Sequence, residues 1–306
     1  MNAIFVLTSY PPTFLSSVVT LTIIETINKA ATRLQAHQVD NARWDAELLL
    51  CHVLGRDRAW LLAHIQDGID DQSLRQYERA IDRRAVREPL QYITGKQEFW
   101  GLPFKVTPDV LIPRPETEFV VEAALKAVSM ALSPIIIDLC TGSGCIAISL
   151  AKELQNAQVF ATDRSEQALV VAQENARMNL VADRIRFLAG DLFVPFAEMD
   201  LHGKVDVITA NPPYIPAGDL ASLQPEVRDF EPEMALIAGP EGTEIATAII
   251  QQAPLFLKQG GTLIMEMGMG QTAAFSAMIK EIGAYKKPEI LKDLAGIERV
   301  IVARKA

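Results

Sequence analysis

The sequence predicts an alternating α/β fold: a mostly parallel sheet with helices on both faces, preceded by a small helical bundle and a β-hairpin linker. Three observations carry this. Ile135-Ile136-Ile137-Asp138-Leu139 is an almost unbroken apolar run, as expected of a strand covered on both sides, and it leads straight into Cys140-Thr141-Gly142-Ser143-Gly144. From there to the C-terminus, strand-length apolar runs alternate with segments of helical period. Ahead of it, residues 21–90 carry the helical period alone. A chain of 306 residues suits one α/β domain of ordinary size plus an accessory unit.

In chain order, residues 1–20 differ in character from the rest of the chain. No Lys or Arg precedes Lys29, so neither a secretory leader nor an Arg-rich transit peptide is indicated. No apolar run is long enough to span a bilayer. The segment is expected to be a poorly ordered extension, dispensable for activity. From Leu21, Ile23, Ile24, Ile27, Ala30, Ala31 and Leu34 share one helical face. Asp45 to Leu54 is a second helix, stopped by Gly55; Trp60-Leu61-Leu62 lies in a third; Ser73 to Val86 forms a fourth. Arg75, Arg79, Arg83, Arg84 and Arg87 are expected to give that last helix a basic surface. No catalytic constellation occurs in this bundle, so its expected job, over residues 21–90, is substrate recognition.

Residues 91–115 read as a linker. Phe99 to Val106 alternates like a hairpin turning near Gly101, and Ile112-Pro113-Arg114-Pro115-Glu116-Thr117-Glu118 opens a helix, with proline and acidic residues in the favoured first turn. The main domain is expected over 116–306. After the first strand and its glycine loop comes a helix from Ile146 to Leu154, then a strand, Val159 to Asp163. Asp163 stands about twenty residues after the loop, where an acid can hold ribose hydroxyls; the lesser, non-exclusive alternative is a cap on the helix Glu166 to Met178. A third strand, Arg184 to Leu188, ends near Gly190-Asp191-Leu192-Phe193, which offers a carboxylate to an exocyclic amine and apolar side chains to a purine. Lys204 to Ala210 is the fourth strand. A helix over Ile249 to Leu257, a turn at Gly260-Gly261 and a strand from Thr262 to Glu266 come next. The helix Gln271 to Ile282 and the strand Glu298 to Ala303 complete the pattern. The loops after the first four strands fall on one sheet edge and converge on one cleft.

That cleft centres on Asn211-Pro212-Pro213-Tyr214. Two prolines stiffen the loop and leave carbonyls free to accept. A carboxamide oxygen and an aromatic face beside them suit a planar group bearing an NH2, whether an amide or a nucleobase. A turn that merely ends a strand would use the same residues.

Composition narrows the classes. The formal net charge of −9 opposes broad contact with nucleic-acid backbone. Cys51, Cys140 and Cys145 have no metal-ligand spacing and suit a reducing cytoplasm, while His37, His52, His64 and His202 are scattered. No metal is expected. The glycine loop lacks the GxxxxGK[ST] pattern of a P-loop and the third glycine of GxGxxG.

The ordered set Asp-Leu-x-Thr-Gly-Ser-Gly, strand-end Asp, Gly-Asp and Asn-Pro-Pro-Tyr resembles the class I S-adenosylmethionine-dependent methyltransferases. Longer matches, at Glu98 to Gly101, Ile112 to Glu118, Asn211 to Pro216, Arg228 to Pro232 and Lys292 to Gly296, are similar to the HemK/PrmC family from about Leu21 onward. The resemblance implies a Rossmann-like sheet, and methylation of the side-chain amide nitrogen of the Gly-Gly-Gln glutamine in class-1 peptide chain release factors, with S-adenosylmethionine as methyl donor. It implies adenosine lying across Cys140, Thr141, Gly142, Ser143 and Gly144, ribose on Asp163, adenine near Asp191 and Leu192, and Asn211 reaching both methyl donor and acceptor. Asn211 and the Pro212 carbonyl would accept from the glutamine amide, with Pro213 and Tyr214 beside its plane. A cytoplasmic monomer with no direct nucleic-acid or membrane partner is expected. Methylation of a nucleobase amine is the alternative, because Asn-Pro-Pro-Tyr serves that chemistry too. A non-catalytic binding module is a third reading, disfavoured because every expected contact position is intact. Cys140 departs from the family, which has glycine there; a positive φ would make that costly.

Overall fold

The computed structural model describes residues 21–306; the expected N-terminal extension, residues 1–20, lies outside them. The chain divides into two units, one ending at Val86 and the other running from Arg87 to Ala306.

The first unit holds four helices: α1 (Ile23–Ala36), α2 (Ala42–Leu54), α3 (Arg58–Ala63) and α4 (Asp71–Ala85). Thr22 caps α1 in a reciprocal box with Glu25, and Asp57 and Asp70 accept from the first free N–H groups of α3 and α4. Gly55 ends α2 in the left-handed conformation, as expected. Ile27, Leu34, Leu49, Leu50, Leu61, Tyr77 and Ile81 form the interior. The expected arginine face on α4 needs correction. Arg75, Arg79 and Arg83 are exposed, but Arg84 is buried and ion-paired to buried Asp45 at 2.7 Å. A charge removed from water needs such a partner, so Arg84 contributes to the interior of the bundle rather than its surface. Arg87 belongs to the second unit, where it pairs with Glu226 at 2.5 Å.

The second unit opens with α5 (Leu90–Thr94) and the hairpin β1 (Lys96–Phe99) and β2 (Leu102–Lys105), turning at Trp100-Gly101. Both turn residues have positive φ (54° and 65°), as a two-residue hairpin requires. A 3-10 turn at Pro115–Thr117 feeds α6 (Glu118–Ala127). Next in order are β3 (Ile135–Leu139), α7 (Cys145–Glu153), β4 (Gln158–Asp163), α8 (Glu166–Met178), β5 (Ile185–Ala189) and β6 (Val205–Ala210). A two-residue strand β7 (Ile215–Pro216), α9 (Pro225–Phe230), β8 (Ile237–Gly239), α10 (Glu244–Phe256), β9 (Leu257–Glu266), α11 (Thr272–Ile282), β10 (Glu289–Lys292) and β11 (Glu298–Arg304) complete it.

The main sheet runs β10-β11-β9-β6-β3-β4-β5. Strands β9, β6, β3, β4 and β5 are parallel; β11 runs antiparallel to β9, and β10 antiparallel to β11. Alternate residues of each strand enter different cores, because a strand's side chains point to opposite faces. Ile136, Val207, Ile264 and Val300 join α6, α7 and α8 on one side. Ile137, Ile208, Leu263 and Ile301 join α10 and α11 on the other. Coverage of both faces explains why the strands read as continuous apolar runs.

Four local expectations differ from the structure. Asp163 does not cap α8; Ser165 does, its side chain accepting from the Ala168 N–H. Gly260 and Gly261 lie within β9, at a register shift against β6, rather than in a turn before it. The helix α10 begins at Glu244, well before Ile249, and α2 begins at Ala42 rather than Asp45. β10 has no strong sequence signal: its four residues are exposed or half-buried at the sheet margin. Among the described residues no helix is long and apolar enough to cross a membrane.

Candidate active site

The chain leaves β3, moves outward through β4 and β5, then returns to β6 on the other side of β3. Such a reversal opens a crevice at the carboxyl edge of a parallel sheet. A cavity of about 560 Å³ lies there, within the usual range for a site holding a small organic ligand. Cys140, Thr141, Gly142 and Ser143 line it after β3, Asp163 after β4, Asp191 and Leu192 after β5, and Asn211 and Pro213 after β6. Of the other expected site residues, Gly144, Pro212 and Tyr214 are not among those lining the cavity; Pro212 and Tyr214 follow Asn211 on the same loop.

Hydrogen bonds from side chains shape the floor. Asp138, fully buried at the end of β3, accepts from Thr141 Oγ1 at 2.6 Å and Thr209 Oγ1 at 2.8 Å, fastening the loop to β6. Burial pushes its pKa up to about 7, against those two hydrogen bonds. Asn175 of α8 donates to the Ser143 carbonyl at 2.9 Å and exchanges two bonds with the Lys105 backbone, tying the hairpin to the same loop. Gly144, at φ 82°, has no room for a side chain: a Cβ would stand 2.9 Å from Ile148 Cδ1 and 3.2 Å from Ala172 Cβ.

Cys140 takes φ 55°, so the strain foreseen for a side chain at this position is present. The residue is half-buried in the cavity wall, and desolvation there, with Asp163, Asp138 and Asp191 nearby, raises its thiol pKa well above the usual value. Replacing Cys140 with the β-branched Val is expected to destabilise the protein by about 1–2 kcal/mol. Cys140→Gly should hold stability within about 1 kcal/mol, losing packing but shedding strain. Denaturant unfolding checks both; a Val variant as stable as Cys would contradict the left-handed backbone.

Asp163 is held by two backbone donors, Gly142 N to Oδ2 and Ser165 N to Oδ1, each 2.9 Å. Burial raises its pKa, while the N–H groups of Ser165 and Gly142 oppose the shift. Both oxygens keep lone pairs for a ligand's hydroxyls. Asp191 is more exposed at the rim, 4.0 Å from Arg164.

Asn211 comes directly after β6. Its Nδ2 donates to Thr117 Oγ1 at 3.1 Å, and Thr117 Oγ1 donates to Glu266 Oε2 at 2.6 Å. Its Oδ1 is buried and accepts no hydrogen bond. A buried acceptor left open at a cavity wall is costly unless a ligand's N–H meets it. Tyr214 packs against Gly268, whose Cβ would come within 3.1 Å of the ring, and burial raises its hydroxyl pKa to about 12. Gln271 Nε2 donates to the carbonyls of Tyr214 (3.0 Å) and Gly242 (2.9 Å), and β7 pairs with β8. The loop bearing Asn211 is therefore braced along its length. Arg114 and buried Glu231 form an ion pair beside it, which makes Glu231 an organiser of the rim.

Sequence reasoning missed Thr117 and Glu266 as site residues. The only local signal was the rigid Pro-Arg-Pro segment ahead of Thr117.

The chain is similar to proteins of known type over nearly all its described length. Residues 25–95 match the family described as the PrmC N-terminal domain, and residues 134–298 match a methyltransferase domain family. A release factor glutamine methyltransferase of Moorella thermoacetica is 42% identical over 283 residues, covering 92% of this chain and 98% of that one. One from Geobacter sulfurreducens is 42% identical over 266 residues, covering 87% and 90%. Among solved structures, the hMettl16 catalytic domain in complex with a MAT2A 3′UTR hairpin aligns with a TM-score of 0.55 at 15% identity, covering 79% of this chain and 84% of that one. That likeness is one of fold alone.

Proposed function

Because this chain belongs to the release factor glutamine methyltransferase family, we propose that its cavity is where a methyl group passes from S-adenosylmethionine to the glutamine of the Gly-Gly-Gln motif in class-1 peptide chain release factors. The open, buried Oδ1 of Asn211 carries this reading: it is an acceptor waiting for an N–H, set beside a cavity of cofactor size.

The residues present suit S-adenosylmethionine. Gly142 lines the cavity with nothing within 4 Å of where a Cβ would stand, so a ligand can lie against its backbone. Asp163 is braced to accept from ribose hydroxyls, and Leu192, Asp191 and Ile245 line the same cavity for the base. When bound, the sulfonium supplies an electrophilic methyl group.

A carboxamide nitrogen is a poor nucleophile, because its lone pair is delocalised into the carbonyl. Asn211 Oδ1 accepts one amide N–H and the Pro212 carbonyl is proposed to accept the other. Charge building on nitrogen strengthens both bonds, so they favour the transition state over the ground state. Holding the NH2 plane also keeps the nitrogen aimed at the methyl group. The N-methylated amide then sheds its extra proton to water. No side chain of tuned pKa has to take it.

We further place the protein in the cytoplasm as a monomer acting on protein; its net charge of −9 supports a protein acceptor over a phosphate backbone. The test is peptide mapping of a class-1 release factor after incubation with the protein and S-adenosylmethionine. One added methyl group on the side-chain nitrogen of the Gly-Gly-Gln glutamine is expected; methylation confined to another residue would overturn the assignment.

A further inference from the structure

We propose that Glu266 and Thr117 form an ordered hydrogen-bond relay that fixes which end of the Asn211 amide faces the acceptor, making both of them positioning residues for the methyl transfer. This rests on the reaction proposed above. Ala210 and Met265 are register partners on the neighbouring parallel strands β6 and β9, so Asn211 and Glu266 leave the sheet side by side. Thr117, from the 3-10 turn before α6, links them: it donates to Glu266 at 2.6 Å and accepts from Asn211 Nδ2 at 3.1 Å. Thr117 is 1% exposed and Glu266 3%, so solvent offers no substitute partners.

The order comes from counting protons. A hydroxyl has one proton to give, and a carboxylate can only accept. With Thr117's proton committed to Glu266, its oxygen can only accept from Asn211. The NH2 of Asn211 must therefore face Thr117, and Oδ1 must face the acceptor. An amide turned the other way would set two acceptors against each other at Thr117 and present NH2 to the NH2 of the incoming glutamine. That arrangement is unproductive for transfer.

The relay gives a pH dependence of definite sign. Once protonated, Glu266 can donate to Thr117, and the order is no longer enforced; transfer should rise as pH climbs through the Glu266 titration. Burial pushes that titration up to about 7, with Glu116 raising it and Thr117, Arg299 and Arg114 lowering it; the Tyr214 hydroxyl, held neutral, also lies near Glu266.

The test measures kcat on a release factor at saturating S-adenosylmethionine, between pH 5.5 and 8.5 (a range of about 1.5 units either side of the midpoint), with cofactor affinity measured separately. Thr117→Val should lose about 10-fold in kcat with cofactor affinity unchanged, and Thr117→Ser should recover most of it. Glu266→Gln should flatten the acid limb at a reduced rate. If Thr117→Val fails to fold, the near-isosteric Glu266→Gln still decides. Full activity in Thr117→Val, no recovery in Thr117→Ser, or an acid limb surviving in Glu266→Gln would each overturn the relay while leaving the reaction standing. A wild type that methylates no release factor would overturn the reaction and the relay with it.

Discussion

Asn211→Ala is expected to lower kcat by about 100-fold or more while leaving S-adenosylmethionine affinity within about twofold. The magnitude is that of removing one preorganised partner aimed at developing charge in a site shielded from water. The side chain is already aligned before the acceptor arrives: Nδ2 is bonded to Thr117 and Oδ1 is buried and open. No reorganisation is therefore needed at the moment of transfer. Truncation removes the acceptor and leaves Thr117 Oγ1 without the donor it now accepts from. The cofactor contacts assigned to Asp163 and the glycine loop are untouched, so binding of the methyl donor should persist. Calorimetry and single-turnover kinetics separate the two quantities. Parallel losses in affinity and rate would show that Asn211 serves cofactor binding rather than transfer.

Asp163→Ala should do the reverse, weakening S-adenosylmethionine binding by about 100-fold, with kcat at saturation falling far less. The carboxylate is the charged acceptor proposed for the ribose, and it also holds Gly142 N and Ser165 N. Its loss removes ligand contacts and frees two loop amides together. Since burial raises this carboxyl's pKa, it protonates at higher pH than an exposed aspartate. The ionised form accepts the ligand's hydroxyls, so affinity should fall as pH drops through that raised pKa, and Asp163→Ala should lack this dependence. Unchanged affinity at neutral pH would remove Asp163 from the cofactor site.

Much of this architecture is legible in the sequence, and the reasons are local. Ile135 to Leu139 reads as a covered strand because both faces are apolar, and Gly142 and Gly144 mark a close turn between strand and helix. Cys140 stands out only against the family it resembles, which has glycine there, and its backbone takes the positive φ that makes a side chain costly at that position. What escapes such a reading depends on partners distant in sequence. Thr117 and Glu266 lie 149 residues apart and meet because α6, which the Thr117 turn leads into, packs against β9, while β6 beside β9 brings Asn211 to the same place. Arg84 looks like part of a surface stripe because Asp45, its buried partner, sits on another helix. Gly260 and Gly261 look like a turn because nothing nearby shows that β9 carries its strand through them past a register shift. Ser165 rather than Asp163 caps α8; the aspartate's two oxygens are occupied with Gly142 and Ser165 amides, and only the first of those contacts belongs to the glycine loop.

Methyl transfer to a glutamine amide held by Asn211 is decided by one assay, with labelled S-adenosylmethionine and three acceptors in parallel. These are a class-1 release factor, the same factor with its Gly-Gly-Gln glutamine changed to alanine, and total nucleic acid. Label is expected on the first alone, and it should be lost when the enzyme carries Asn211→Ala. Label on nucleic acid alone, or equal label on both forms of the release factor, would rule that transfer out.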